Sequence, residues 1–129
     1  MERTPLRLGL IGQISRPVSE IGRAVRWYSE VLGLPHLYTF GDLAFFDCAG
    51  TRLYLQASEP SNHGEPSVLY FRVDDIQAGY DELRARGAEF EDAPHLIHRH
   101  DDGTEEWMAF FLDPDGHPLA IMAQVPPPP

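Results

Sequence analysis

The sequence predicts an α+β fold: two tandem βαβββ modules forming a curled mixed sheet around a cleft, with the helices on its outer face. Three observations carry this prediction. Apolar residues fall at helical spacing in two places, 21–32 and 76–83. Short apolar, strand-prone runs broken by Gly- and Pro-bearing turns follow each helix. The second half of the chain repeats the pattern of the first. A chain of 129 residues suits a single domain with a real core.

The elements follow in order. Residues 8–18, LGLIGQISRPV, read as a strand, and Ser19 suits an N-cap. Ile21, Ala24, Val25, Tyr28 and Leu32 form one helical stripe, and Gly33 suits the C′ position that ends it. Strands are expected at 36–40, 43–48 and 52–56, with Gly41-Asp42 and Ala49-Gly50 as turns. The polar stretch SEPSNHGEP, 58–66, reads as a linker between a module at 8–57 and a module at 67–124. In the second module a strand at 68–73 leads to a cap at Asp74 or Asp75. Ile76, Gly79, Tyr80 and Leu83 line a helix that Gly87 closes. A strand near 89–92 precedes a solvated loop with His95, His98 and His100. The hairpin AFFLDPDGHPLAIM, 109–122, completes the module: Pro114 presets φ and Gly116 accepts a positive φ. The tail, 125–129, reads as an extended end.

The repeat can be stated residue by residue. Val18-Ser19-Glu20-Ile21 corresponds to Val73-Asp74-Asp75-Ile76, and Ala44-Phe45-Phe46 to Ala109-Phe110-Phe111. Gly50 and Leu53 correspond to Gly116 and Leu119. Two units of this size are too few and too long for a solenoid, so they pair into one αβ domain.

Composition limits the function. A formal net charge of −10 argues against nucleic acid, whose phosphates need a basic surface, and is compatible with a cationic small ligand. No apolar run reaches the length of a membrane span, and MERTPLRLGL lacks a secretory h-region. Cys48 is the sole cysteine, so no internal disulfide framework forms. These features point to the cytoplasm.

Two motifs, Ala24-Val25-Arg26-Trp27-Tyr28-Ser29-Glu30-Val31-Leu32-Gly33-Leu34 and Phe110-Phe111-Leu112-Asp113-Pro114-Asp115-Gly116, together with the doubled βαβββ layout, resemble the vicinal oxygen chelate superfamily. That superfamily includes glyoxalase I, extradiol dioxygenases, methylmalonyl-CoA epimerase, and the bleomycin and fosfomycin resistance proteins. The resemblance spans about residues 8–124 and marks fold rather than function. It implies a cleft with metal ligands on the first and last strand of each module. Those positions fall on Gln13, Tyr54, Val68 and Ala120. Val68 and Ala120 carry no donor, Gln13 is a weak neutral ligand, and Tyr54 would have to ionise. The expectation is therefore no metal cofactor, and no glyoxalase or extradiol mechanism of the usual kind.

Other residues suggest chemistry of their own. Arg72 shares strand parity with Val68 and Tyr70 and could clamp a carboxylate or phosphate, or simply reach solvent. Tyr54, Tyr70, Trp107, Phe111 and Met122 could build an aromatic cleft or serve as core. The segment bearing His95, His98, His100 and Glu106 could hang over the cleft or, as the alternative, hold a divalent metal with Gln13 in a rearranged lyase-type site. Cys48 reads as a buried structural thiol. The leading expectation is a small-molecule-binding homodimer with a cleft built from Gln13, Tyr54, Val68, Tyr70, Arg72, Ala120 and Met122. A dimeric interaction module without catalysis is the third reading.

Overall fold

The structure, a computed structural model, describes residues 5–129. The first four residues, part of the segment in which no leader was expected, lie outside the described residues. The first module runs β1 (Gln13–Val18), α1 (Ile21–Glu30), β2 (His36–Phe40), β3 (Leu43–Cys48) and β4 (Thr51–Ala57). A single 3-10 turn, Pro60–Asn62, sits in the linker. The second module runs β5 (Leu69–Arg72), α2 (Ile76–Ala85), β6 (Glu89–Phe90), β7 (His95–Arg99), β8 (Glu105–Leu112) and β9 (Pro118–Val125).

Each module builds its own mixed sheet. The first has the order β1-β4-β3-β2; the second has β5-β9-β8-β6, with β7 also paired to β8. In both, the first and last strands run parallel and the remaining pairs are antiparallel. The register reproduces the sequence repeat: Ser15 lies opposite Tyr54 in one module, and Tyr70 opposite Ala120 in the other. The α+β class and the doubled layout stand. The one curled sheet resolves into two sheets that are not strongly curled. Every strand pairing among the described residues lies within one module, and Arg16 of β1 bridges the two. Its guanidinium donates to the carbonyls of Ser67 (3.1 Å) and Pro118 (2.6 Å), so side-chain bonds join the modules at this seam.

Local departures from expectation have local causes. β1 begins at Gln13 rather than residue 8, because its neighbour β4 starts at Thr51, after the Ala49-Gly50 turn. Among the described residues no strand lies alongside 5–12; Arg52 N–H and Thr51 Oγ1 donate to the carbonyls of Gly12 and Ile11. Ser19 does not cap α1; the N-cap is Glu20, while Ser19 turns its amide and hydroxyl to Asp115. Asp75 does cap α2, accepting the Ala78 amide at 3.0 Å. The histidine segment is not a loop. His95–Arg99 forms an edge strand on β8, so β6 and β7 together take the place that one strand holds in the first module.

Two hydrophobic clusters form the core. One gathers Val18, Tyr28, Phe46, Leu53 and Leu55 under α1; the other gathers Ile76, Phe111, Leu119 and Ile121 under α2. Trp27 and Leu69 pack against both. The two sequence motifs meet at the same seam. The buried Tyr28 hydroxyl donates to Asp113 Oδ2 at 2.8 Å, and the Arg16 Nε lies 3.6 Å from that oxygen. Asp113 Oδ1 accepts the amides of Asp115 and His117, which fixes the hairpin turn. Asp113 is thus both turn residue and inter-module anchor.

Candidate ligand-binding site

Strand alternation gives each sheet a second face, away from its helix. In the first module that face carries Tyr38, Phe45, Tyr54 and Ser15, which lie in register across β2, β3, β4 and β1. The rings of Tyr38 and Phe45 stack at 4.6 Å and 28°, and those of Phe45 and Tyr54 at 5.0 Å and 20°. Such offset stacks follow from the strand spacing and stabilise by about 0.5–1.5 kcal/mol per pair. The row stops at Ser15. Serine is small and exposed there, so the position beside Tyr54 is unfilled by any ring. Next to it, Arg52 donates from Nε to Gln13 Oε1 at 2.8 Å, and its guanidinium lies 5.2 Å from the Phe45 centroid.

The second module has the matching row Phe110, Ala120 and Tyr70. It is closed. Tyr70 and Phe110 meet edge-on at 5.9 Å across Ala120, which is fully buried. His95 stacks on Phe110 from β7 at 6.1 Å. Met122 lies in the next row, opposite Arg72 and Met108.

The structure distributes the predicted site residues unevenly. Gln13 and Tyr54 share one face of the first sheet, while Tyr70, Ala120 and Met122 share one face of the second. Val68 precedes β5 and is outside the strand. Arg72 lines a cavity between the modules together with core residues of the helix side. Phe111 and Trp107 belong to the core under α2, so they are not cleft residues. Their neighbour Phe110 takes the outward face, as Phe45 does in the first module; the Phe45–Phe110 correspondence in the repeat is the signal that locates both. Ser15 and Tyr38 were not singled out by sequence. Cys48 is half-buried rather than buried, and desolvation, then the Asp47 charge, pushes its thiol pKa up.

The far edge of the second sheet holds a polar group. His100 Nε2 meets Glu106 Oε2 at 2.7 Å, Gln124 donates to the same oxygen at 3.0 Å, and the His98 and His100 rings meet edge-on at 4.7 Å. The His100 hydrogen bond, then that from Gln124, holds the Glu106 carboxyl below its usual range. Gln13 lies in the other sheet, bound to Arg52, and does not join this cluster. Among the described residues no three His, Cys, Asp or Glu side chains come together as a metal-holding group. The residues at the superfamily's metal positions do not fit a divalent ion either. The Gln13 carbonyl oxygen is engaged by Arg52, the Tyr54 ring is stacked on Phe45, and Val68 and Ala120 offer no donor atom.

The family model for the Glyoxalase/Bleomycin resistance protein/Dioxygenase superfamily matches residues 10–121. The chain belongs to that superfamily. Similar proteins include YraH of Bacillus subtilis (strain 168), described as uncharacterized and 29% identical over 127 residues, covering 84% of this chain and 94% of YraH. Among solved structures, TnmS3, an antibiotic binding protein from Streptomyces sp. CB03234, aligns with a TM-score of 0.75 at 24% identity, covering 92% of this chain and 98% of TnmS3. A lactoylglutathione lyase from Agrobacterium tumefaciens aligns at 0.69 and 20% identity, covering 91% and 95%. These structural likenesses establish the shared fold. No helix of the described residues is long and apolar enough to cross a membrane.

Proposed function

We propose that this superfamily member binds a planar, aromatic small molecule without a divalent metal, on the outward face of the first sheet. The observation that carries the reading is the row Tyr38–Phe45–Tyr54–Ser15. Three stacked rings end beside a serine, so a flat ligand over Ser15 continues the stack on Tyr54. Gln13 and Arg52 stand beside it as hydrogen-bonding groups. The second sheet offers no equivalent slot, because Tyr70 and Phe110 close over Ala120. The antibiotic binding of TnmS3 supports the same kind of use, and the net charge of −10 favours a small ligand over nucleic acid.

The protein acts as a homodimer in the cytoplasm. Support for the dimer comes from apolar surface that a monomer leaves in water: Leu8 is 88% exposed and Phe40 73%, with Leu6, Leu10, Leu37 and Ile97 also open. The test of function is a thermal-shift screen of planar aromatic metabolites and antibiotics, with and without a chelator. The reading expects stabilisation by a planar compound that chelation leaves unchanged and that Tyr54→Ala weakens about tenfold in Kd. Stabilisation only by non-planar compounds, or only in the presence of metal, would overturn it.

A further inference from the structure

The planar slot over Ser15 has a charged edge, and the geometry of that edge narrows the class of ligand. The first sheet sets Gln13 of β1, Arg52 of β4 and Asp47 of β3 in one register row, next to the row of Ser15, Tyr54 and Phe45. Arg52 therefore has an amide across from it on one strand and a carboxylate on the other. It turns to the amide. Its Nε donates to Gln13 Oε1 at 2.8 Å, and its guanidinium lies 5.2 Å from the Phe45 centroid, which helps hold it against the aromatic row. Among the described residues no ion pair joins it to Asp47 or to any other carboxylate. Asp47 instead accepts the Gly50 amide on Oδ1 at 3.0 Å.

This arrangement leaves N–H donors at the edge of the slot. Arginine only donates, so the Gln13 oxygen faces it and the Gln13 amide nitrogen is left over. The contact between the two is the one side-chain hydrogen bond that either makes among the described residues, so Arg52 Nη1 and Nη2 and Gln13 Nε2 stand without a protein acceptor.

We infer that the planar ligand of this slot carries a carboxylate conjugated to its ring, seated on Arg52 Nη1 and Nη2 with the Gln13 amide beside it. The inference rests on the planar-slot reading and names its ligand class. A guanidinium fork takes a carboxylate in two parallel hydrogen bonds. A carboxylate coplanar with its ring also keeps the ligand flat enough to stack on Tyr54. The net charge of −10 does not reverse this preference. Exposed charges farther apart than about 8 Å are largely screened at physiological salt, whereas Arg52 is in contact with the bound group.

The test uses three isosteres: naphthoate, naphthamide and naphthamidine, substituted at the same ring carbon. They share one flat ring system and differ in charge. Calorimetric titration in chelator is expected to give naphthoate a Kd about fivefold below that of naphthamide, the upper end for an exposed ion pair, with the amidine weakest. Raising salt from about 50 mM to about 500 mM is expected to shrink that ratio below about twofold. Arg52→Gln is expected to bring the ratio to about one. Tyr54→Ala is expected to weaken naphthoate and naphthamide together and keep their ratio, which separates the stack from the charge. Equal Kd values for naphthoate and naphthamide in the wild type, tighter binding of the amidine, or a ratio that survives Arg52→Gln would overturn the carboxylate and leave the slot standing. Binding by none of the three would count against the slot itself, and the inference would fall with it.

Discussion

At the residue scale, the seam between the modules rests on Tyr28, Arg16 and Asp113. Removing the Tyr28 hydroxyl leaves a buried carboxylate with one donor fewer, so Tyr28→Phe should cost about 1–3 kcal/mol in urea melts at neutral pH. The same residue predicts a pH effect. Burial, and then the Asp113 charge, pushes the Tyr28 pKa well above 10.0. The unfolded chain therefore releases this proton first, and the contribution is full below about pH 10 and lost as pH rises toward the folded value. Melts at about pH 9 and about pH 11 should show a steeper alkaline loss for the wild type than for Tyr28→Phe. Equal slopes would remove Tyr28 from the alkaline account. The sequence marks Tyr28 and Asp113 through two separate motifs, but not that they touch, since 85 residues separate them. Arg16 carries no sequence signal at all: a basic residue on a strand reads as exposed, and only the fold shows it 97% withdrawn from water, at 3% exposure.

At the scale of elements, strand parity and the repeat fix which residues face away from the helices. Gln13, Tyr54, Tyr70 and Ala120 fall on outward faces because strand alternation is strict, and the offsets of the repeat reappear as strand register. What alternation could not supply was the meaning of Ser15, since a serine among rings is informative only once its strand neighbours are known. Nor could it show that 95–99 pairs with β8, because His95, His98, Arg99 and His100 beside acidic residues carry the composition of a loop. The strand over 8–12 failed for a related reason: its alternating leucines are strand-like, but among the described residues no neighbouring strand extends that far. That arm yields a prediction of its own. If the arm carries the proposed dimer contact, light scattering should give a dimeric mass for the wild type and a monomeric mass for Leu8→Glu with Leu10→Glu, since charge on an apolar contact opposes its burial. A monomeric wild type would contradict the proposed dimer, and a dimeric mass unchanged by the substitutions would contradict a contact through the arm.

At the scale of the whole molecule, two pseudo-equivalent halves have diverged on one face. The first keeps an open end in its aromatic row, and the second closes its row over Ala120. The buried Arg16–Asp113 pair and the shared packing of Trp27 and Leu69 tie both halves into one cooperative unit. Calorimetry should thus give one unfolding transition, with calorimetric and van't Hoff enthalpies equal. Arg16→Ala should lower stability by about 3–5 kcal/mol, because it leaves Asp113 buried without its cation. Two resolved transitions in the wild type would mean that the seam does not couple the halves. The fold class was legible in the sequence because it rests on periodicity and turn chemistry, and the family because residues 24–34 and 110–116 resemble its motifs. The site was legible only in part, because an open slot is defined by what its neighbours leave uncovered.

The central claim, a metal-free planar-ligand slot over Ser15, is tested most directly by calorimetric titration of the strongest planar compound into wild type and Ser15→Leu, both in chelator. The account predicts undiminished binding by the wild type and loss of about tenfold or more in affinity when the leucine fills the slot beside Tyr54. Equal affinity for both proteins, or binding that vanishes with chelation, would contradict it.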